Sequence, residues 1–346
     1  MKDKYKATLI GCGLGDSLGM AVEGWKRKQI EKYVGRVTEP IAPVLVKDNS
    51  GNLIVEDEFG KLKYYTLDLS QGDISDDTIL TIAIAESILD KRCIDLGYIS
   101  QKQVQEYVAR IMPDGHVFGG FGKTTQDAFE NIRKGISPLE SGVYPGLGTG
   151  PCMKMSPVGL YMHATQAYNQ GIKFSKLIGR ATHLDERAVA AGVVQADIIF
   201  RLLNENLSRE DFLSNIEQSC ISNEEQNPAD FPKSEKGTLN SRISWIRENK
   251  DVTDEEAKKV LGNSSLAIEA YPFTIFMFQK YWNNPIEGLI ETVNWGGDCD
   301  TTGAMYGALC GAKNGMIFPE NWKLNEKQKL AELGERFWRM KNEKLY

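Results

Sequence analysis

The sequence predicts an all-α protein, a single compact multi-helix domain that carries one small β-hairpin insertion. Apolar residues recur at three- and four-residue spacing through most of the chain, which is the period of a helix with one buried face. Strand-like clustering of Ile, Val, Tyr and Thr is confined to 52–69. No repeat with a period of roughly 20–50 residues divides the chain. We therefore expect one domain over residues 1–346, with the hairpin near 41–70 and a polar, variable region near 205–260.

The helical period is clearest in five segments. These segments are 78–90, 100–112, 124–135, 186–204 and 271–282. The hairpin is expected to turn at Phe59 and Gly60, between two strand-like runs. Between about residues 204 and 254 the chain is polar and charged, which predicts short helices joined by loops.

Composition and charge exclude several classes of protein. A net charge of −6 argues against a nucleic-acid partner, because neutralising phosphates requires a basic surface. No stretch approaches the roughly 18 uncharged apolar residues of a membrane-spanning helix, so no membrane partner is expected. The six cysteines contain no CxxC pair, which indicates reduced thiols and a cytoplasmic protein. Three histidines are too few for a histidine-rich zinc site.

The first motif is GCGLGDSLGMAVEG at 11–24. A dinucleotide-binding GxGxxG would require glycine where Asp16 or Leu18 stands, so that interpretation fails. On a helix, Asp16 and Glu23 are two turns apart and can share a face. A tightly packed helix with two solvated acids fits the same letters, and this stretch alone does not decide between the two interpretations.

Acidic residues crowd the start of the next predicted helix, in QGDISDDTILTIAIAE at 71–86. An N-cap and the helix dipole together account for one or two acids there. They do not account for Asp73, Asp76 and Asp77 so close together before a strongly apolar helix. A hard cation does, because carboxylate and hydroxyl oxygens, including that of Ser75, are the ligands that Mg²⁺, Mn²⁺ and Ca²⁺ take.

The segment NWGGDCDTTGAMYGALCGAKNG, at 294–315, combines acids with a ridge of small residues. Gly303, Gly307 and Gly311 recur every four residues, which predicts close contact with another helix, since each helical glycine otherwise costs roughly 1 kcal/mol. The letters DCDTT match the DxDx[TV] nucleophile motif of haloacid-dehalogenase-type phosphatases. That motif requires a hydrophobic strand before it and an α/β domain after it, and neither is present in the sequence.

The two acidic clusters, although far apart in sequence, predict one site. Repulsion among four buried carboxylates would keep some of them protonated unless positive charge lay between them. We therefore expect a pair of divalent ions between the two clusters. The predicted ligands are Ser75, Asp76, Asp77, Asp298, Asp300 and Thr301.

Glycine-rich runs lie at 116–125 and 146–160. The letters GKT at 122–124 do not form a Walker A loop, because the motif would place glycine at Val117 and a strand before it. Glycine-rich backbone before a helix can still bind phosphate through its N–H groups. Ordinary turns explain either run equally well when it is taken alone.

Read in order, these motifs resemble the ADP-ribosylglycohydrolase family, which includes the glycohydrolase that reactivates dinitrogenase reductase. The matching segments keep the family's order and extend over most of the chain. They are GDSLGMAVE (15–23), SDDT (75–78), GTGPCMKMSPVGL (148–160), ATHLDERAVAAGVVQA (181–196) and NWGGDCDTTGAMYGALCGA (294–312).

The resemblance implies an all-α fold of the ADP-ribosylglycohydrolase type, with a cleft that binds ADP-ribose and two Mg²⁺ ions, or Mn²⁺. It implies that the six predicted ligands hold these ions. Glu23 matches the acidic residue of an N-terminal loop that lies over the scissile bond, and we assign catalytic roles to Glu23, Asp77 and Asp300.

The resemblance also implies the residues that bind ADP-ribose. His183 matches the histidine of the family's TH motif, near the ligand. The chain departs from the family's usual Gly-Asn-Gly at Thr149, and its Ser265 and Leu266 stand where the family often has Gly-Tyr, so the aromatic residue that stacks on adenine is left open. The loops around the diphosphate and distal ribose are matched by Gly119, Gly120, Gly148, Thr149, Gly150 and Met153.

These observations predict a metal-dependent hydrolase that removes ADP-ribose from a protein side chain, with arginine favoured as the acceptor, and releases free ADP-ribose. The expected partners are the ADP-ribosylated protein and the ADP-ribose product, and the expected state is a monomer. Two alternatives remain: a non-catalytic relative that binds ADP-ribose or has a structural role, and a hydrolase of serine- or nucleotide-linked ADP-ribose.

Overall fold

The structure, a computed structural model, describes residues 1–44, 50, 69–204, 206–224 and 237–343. In these ranges it contains sixteen α-helices and no β-sheet, which confirms the predicted all-α class. The hairpin expected near 41–70 falls almost entirely outside the described residues. The helices are α1 (Lys2–Met20), α2 (Arg27–Tyr33), α3 (Asp76–Lys91), α4 (Leu96–Val108), α5 (Lys123–Arg133), α6 (Gly150–Met153), α7 (Ser156–Thr165), α8 (Tyr168–Arg180), α9 (Glu186–Asn204), α10 (Arg209–Asn223), α11 (Leu239–Glu248), α12 (Asp254–Leu261), α13 (Ala267–Lys280), α14 (Pro285–Asn294), α15 (Cys299–Asn314) and α16 (Lys327–Asn342).

The five segments with the clearest helical period are helices: α3, α4, α5, α9 and α13. The polar region near 205–260 contains α10, α11 and α12, with residues 205 and 225–236 outside the described part of the chain. Local sequence sets several boundaries. The Asp95 side chain caps α4, and α12 begins with a capping box in which the Thr253 side chain accepts from Glu256 N while the Glu256 side chain accepts from Thr253 N.

The core is organised around an antiparallel contact between α1 and α15. A Cβ added to Gly15 would lie 1.9 Å from the carbonyl oxygen of Gly303, and a Cβ on Gly307 would lie 1.9 Å from the carbonyl oxygen of Gly11. The ridge predicted from the sequence therefore packs directly on the backbone of α1. The facing pairs are Ala7 with Gly311, Gly11 with Gly307, Gly15 with Gly303, and Gly19 with Cys299.

This register determines where the chemical groups lie. Because the two helices are antiparallel, the C-terminal end of α1 lies beside the N-terminal end of α15. The α1 helix ends at Met20, so Glu23 lies in the turn after it and not, as the seven-residue spacing suggested, on the same helical face as Asp16. The turn brings Glu23 toward Asp298 and Asp300.

The remaining helices pack around this pair. One large apolar cluster includes buried side chains from every described helix except α5. A smaller cluster joins α3, α4 and α5 beside the α6 residue Met153. In the described ranges no helix is both long enough and apolar enough to cross a lipid bilayer.

We expect Gly307→Ala to destabilise the protein by roughly 1–3 kcal/mol, because the added methyl overlaps the Gly11 carbonyl and forces α1 and α15 apart. Gly97→Ala in α4 is the matched control, since its methyl would meet only an Asp95 oxygen at 3.5 Å. That control should be neutral or stabilising by up to about 1 kcal/mol. Urea unfolding measures both, and equal midpoints for the two variants would contradict the close backbone contact.

Candidate active site

Asp16 of α1 fixes the start of α3. Its carboxylate accepts hydrogen bonds from the backbone N–H of Ser75, at 3.1 Å to each oxygen, and from that of Thr78, at 3.1 Å. The side chain is fully buried, which raises its pKa to about 6 against the lowering effect of these hydrogen bonds. Asp16 therefore anchors the first acidic cluster to α1, a role that the sequence did not reveal.

The second cluster meets the first through hydroxyl contacts. Ser75 Oγ donates to Asp77 Oδ2 at 3.1 Å, and Thr301 Oγ1 donates to the same oxygen at 3.3 Å. Thr301 N also donates to Asp300 Oδ1 at 2.8 Å. The start of α3 and the start of α15 are therefore in direct contact, as the clustering of acids predicted.

Three acids lie close enough to share a cation. One carboxylate oxygen from each of Glu23, Asp298 and Asp300 lies within 4.8 Å of the others. Asp298 also accepts a hydrogen bond from Thr149 Oγ1 at 3.2 Å. Asp77 presents its other oxygen, Oδ1, to the interior with no hydrogen-bond partner in the described part of the chain. Buried carboxylate oxygens without a hydrogen-bond partner are unusual, and a cation bound at this oxygen would satisfy it.

Burial and mutual repulsion raise the carboxyl pKa values of the cluster. The pKa of Asp76 lies well above its ordinary value, chiefly because of burial and then because of Asp16 and Glu23. The pKa of Asp77 is raised by burial and by Asp16, and that of Asp300 by burial and by Glu23. The pKa values rise because too little positive charge lies nearby to compensate the ionised carboxylates. A bound divalent cation would supply that charge.

A buried lysine, Lys154, lies near these acids. Lys154 is fully buried just after α6, and its Nζ has no hydrogen-bond partner among the described residues. Burial lowers the pKa of Lys154 to about 8, while the charge of Asp76 opposes that change. A single lysine could not neutralise all five carboxylates if each of them were ionised.

The glycine-rich loops border the same site. Gly119 accepts a hydrogen bond from Asp76 N at 2.7 Å, and a Cβ on Gly120 would lie 3.0 Å from Asp76 Oδ1. The His183 ring packs so closely on the other loop that a Cβ on Gly150 would lie 2.4 Å from its Cε1. Burial, followed by Lys154, lowers the pKa of His183 to about 3, so its imidazole is neutral.

These elements enclose a cleft of about 510 Å³, a size typical of small-molecule sites. Two predicted site residues do not line it: Ser75 and Gly119 lie behind Asp77 and Asp76. The predicted residues that line it are Glu23, Asp76, Asp77, Gly120, Gly148, Thr149, Gly150, Met153, His183, Asp298, Asp300 and Thr301.

Sequence reasoning missed several lining residues. Thr124, Thr125 and Lys123 line the cleft at the start of α5, although the GKT letters were rejected as a Walker A loop. The rejection was correct, since no strand precedes α5. Glycine followed by hydroxyl residues was the available signal. Ser265, by contrast, reaches the cleft only through the tertiary fold.

A known protein family matches nearly the whole chain. The family model described as ADP-ribosylglycohydrolase matches residues 1–345 of the chain. The chain belongs to the ADP-ribosylglycohydrolase family. The resemblance inferred from five short motifs is therefore confirmed over nearly the whole length of this chain.

Relatives of this chain occur in distant organisms. ADP-ribosylhydrolase ARH3 of Homo sapiens is 27% identical, with 92% of this chain and 88% of that protein covered. An uncharacterized protein of Archaeoglobus fulgidus is 25% identical, with 98% and 97% covered. A solved structure titled ADP-ribosylglycohydrolase-related protein complex superposes with a TM-score of 0.62 at 22% identity, covering 98% of each chain, which shows a common fold.

In metal-free buffer we expect Asp77→Asn to stabilise the protein at about pH 7.5 relative to wild type. The raised folded-state pKa values of Asp76, Asp77 and Asp300 mean that folding takes up protons. Their contribution is most favourable at low pH and is lost as the pH rises through the folded pKa, and an amide at position 77 removes part of that loss. Thermal melts from about pH 5 to pH 8 measure the difference between variant and wild type.

Asp90→Asn is the matched control, since Asp90 lies at the exposed end of the same helix and pairs with Arg336. It should melt within a degree or so of wild type across the range, as exposed ion pairs contribute about 0–1 kcal/mol. A lower melting temperature for Asp77→Asn at about pH 7.5 would show that the acids are not mutually repulsive.

Proposed function

We propose that this protein is a metal-dependent glycosidic-bond hydrolase that removes ADP-ribose from ADP-ribosylated protein side chains, with arginine as the favoured acceptor. Family membership supports an ADP-ribose hydrolase activity. The observation that carries the finer proposal is the convergence of five carboxylates on one cleft: Glu23, Asp76, Asp77, Asp298 and Asp300.

The donor set suits hard divalent cations such as Mg²⁺ or Mn²⁺. It consists of carboxylate and hydroxyl oxygens, with the unpartnered Asp77 Oδ1 and three acids whose oxygens lie within 4.8 Å of one another. The proposed ligands are Ser75, Asp76, Asp77, Asp298, Asp300 and Thr301. When bound, two such cations would orient the distal ribose hydroxyls and lower the pKa of a water molecule near C1″.

The chain's own residues then carry the acid–base work. Hydrolysis of a glycosidic bond develops positive charge on the sugar ring, which an ionised carboxylate in the cleft can stabilise. Glu23 lies at the mouth formed by the turn after α1, next to Asp300. Either carboxylate can accept the proton of the attacking water, and a protonated carboxyl can return one to the leaving group.

The opposite wall of the cleft suits the diphosphate. The backbone N–H groups of Gly148 and Gly150 and the hydroxyls of Thr124 and Thr125 offer donors to phosphate oxygens. Lys123 contributes positive charge at the same rim, where it also pairs with Asp127. Neutral His183 adds no charge of its own and serves to hold this loop, because its ring packs against Gly148 and Gly150.

The carboxylates of the cleft favour an arginine acceptor. Glu23 lines the cleft and is not among the proposed cation ligands, so its carboxylate can pair with a guanidinium leaving group. Serine- and nucleotide-linked ADP-ribose are the alternatives that a substrate comparison decides.

We expect the protein, supplied with Mg²⁺, to release ADP-ribose faster from an arginine-linked substrate than from serine- or nucleotide-linked substrates assayed in parallel. Chromatography of free ADP-ribose measures all three. A serine-linked substrate that is cleaved fastest would replace arginine as the acceptor. Binding of ADP-ribose without release from any substrate would identify a non-catalytic relative.

Chelation of divalent cations and the substitution Asp300→Ala should each lower hydrolysis by at least about 100-fold, as loss of a catalytic metal or its ligand does. Circular dichroism should show an unchanged helical content for Asp300→Ala. Asp90→Ala, at the far end of α3, is the control and should retain activity. Full activity of Asp300→Ala in chelator would overturn the metal-dependent mechanism.

A further inference from the structure

Asn263 lies behind the acid cluster, in the turn that connects α12 to α13. The side chain is 3% exposed, and its Nδ2 donates to the carbonyl oxygen of Gly296 at 2.5 Å. The backbone carbonyl oxygen of Asn263 accepts a hydrogen bond from Asp298 N at 3.0 Å. One residue therefore holds the backbone on both sides of Gly297, immediately before a proposed metal ligand.

That backbone needs to be held. Gly296 and Gly297 adopt φ values of +67° and +69°, and two successive glycines lose more conformational entropy on ordering than other residues do. Asp298 is the N-cap residue of α15, but its side chain makes no capping hydrogen bond to the helix. Its carboxylate lies close to those of Glu23 and Asp300, and like charges at this distance repel one another. Without a brace, the flexible pair would let Asp298 move away from the other acids.

The fit between the two turns is close. A Cβ on Gly297 would lie 2.0 Å from the carbonyl oxygen of Asn263. From the other side, Gly297 exchanges backbone hydrogen bonds with the turn after α1: its N–H donates to Trp25 O, and its carbonyl accepts from Gly24 N. The glycine pair is thus clamped between the α12–α13 turn and the turn that carries Glu23.

The same turn also holds the proposed diphosphate loop. Thr149 N donates to Ser265 O at 3.2 Å, and Ala267 N donates to Leu147 O at 2.9 Å. From α13, Glu269 accepts hydrogen bonds from Ser264 N and Oγ at 3.2 and 2.8 Å, which fixes the turn itself. Residues 263–267 therefore make backbone hydrogen bonds both to Asp298 of the acid cluster and to the loop that contains Thr149.

We propose that Asn263 is a positioning residue for cation binding, and that it acts by fixing the backbone of Asp298 through the Gly296 carbonyl. It touches neither substrate nor cation, since it does not line the cleft. The inference rests on the proposed function, because it assumes that Asp298 is a cation ligand. Groups that orient metal ligands from behind usually change metal affinity by roughly 10–100-fold when removed.

The test uses the full chain and the metal ion alone. Titration calorimetry with Mg²⁺, and separately with Mn²⁺, should show that Asn263→Ala weakens binding by about 10-fold or more. The concentration of Mg²⁺ that gives half-maximal hydrolysis should rise by a similar factor. Asn263→Ser, like Asn263→Ala, keeps the backbone carbonyl that accepts from Asp298 N but lacks the amide that donates to Gly296, so it should shift both quantities in the same direction.

Gln279→Ala is the matched control. Gln279 is a fully buried amide that accepts from Arg209 and donates to Lys250 O. It lies near the C-terminal end of α13, at the opposite end of that helix from the turn that contains Asn263. It should lose thermal stability comparably while its metal affinity stays at the wild-type value. That contrast separates positioning from general destabilisation.

The outcomes are distinct. Weaker binding in both Asn263 variants, with the control unchanged, supports the positioning role. Unchanged metal affinity in folded Asn263→Ser overturns it, and so does an equal loss in Gln279→Ala. A wild-type protein that binds neither cation would instead refute the metal site of the proposed function.

Discussion

The contact between α1 and α15 is the constraint on which the rest of the structure depends. Four successive turns of each helix carry a small residue at the interface. The two backbones are so close that a methyl group added to any of the facing glycines would overlap the backbone of the other helix. That approach fixes both the distance and the register of the helices. Because they run antiparallel, Glu23 at one end meets Asp298 and Asp300, while Asp16 reaches across to α3.

The acid cluster works against folding, and the surrounding structure offsets that cost. Asp16 is compensated by two backbone N–H donors, and Lys154 supplies one buried positive charge near Asp76. Asp77 and Asp300 lack equivalent compensation, and their pKa values rise accordingly. Under the proposed function, a bound cation would favour the ionised form of these acids and offset that cost, which illustrates a common conflict between stability and function.

Sequence patterns were sufficient for the helices and for most of the site. The period of α3, α9 and α13, and the acids before α3 and α15, are local properties that a sequence displays directly. The cleft residues 123–125 gave only a weak signal, because a glycine followed by hydroxyl residues is common in loops. Asn263 gave none, since an isolated asparagine becomes informative only once its amide is seen to hold Gly296.

By itself, the sequence determined the all-α class, the membership in a family and the identity of the clustered acids, because periodicity and short motifs are encoded by neighbouring residues. Only the tertiary structure decided which groups support those acids. The cap from Asp16, the burial of Lys154 and the brace from Asn263 all join residues distant in sequence. Their roles depend on distance and on exclusion of water, and both properties arise only when the helices have packed.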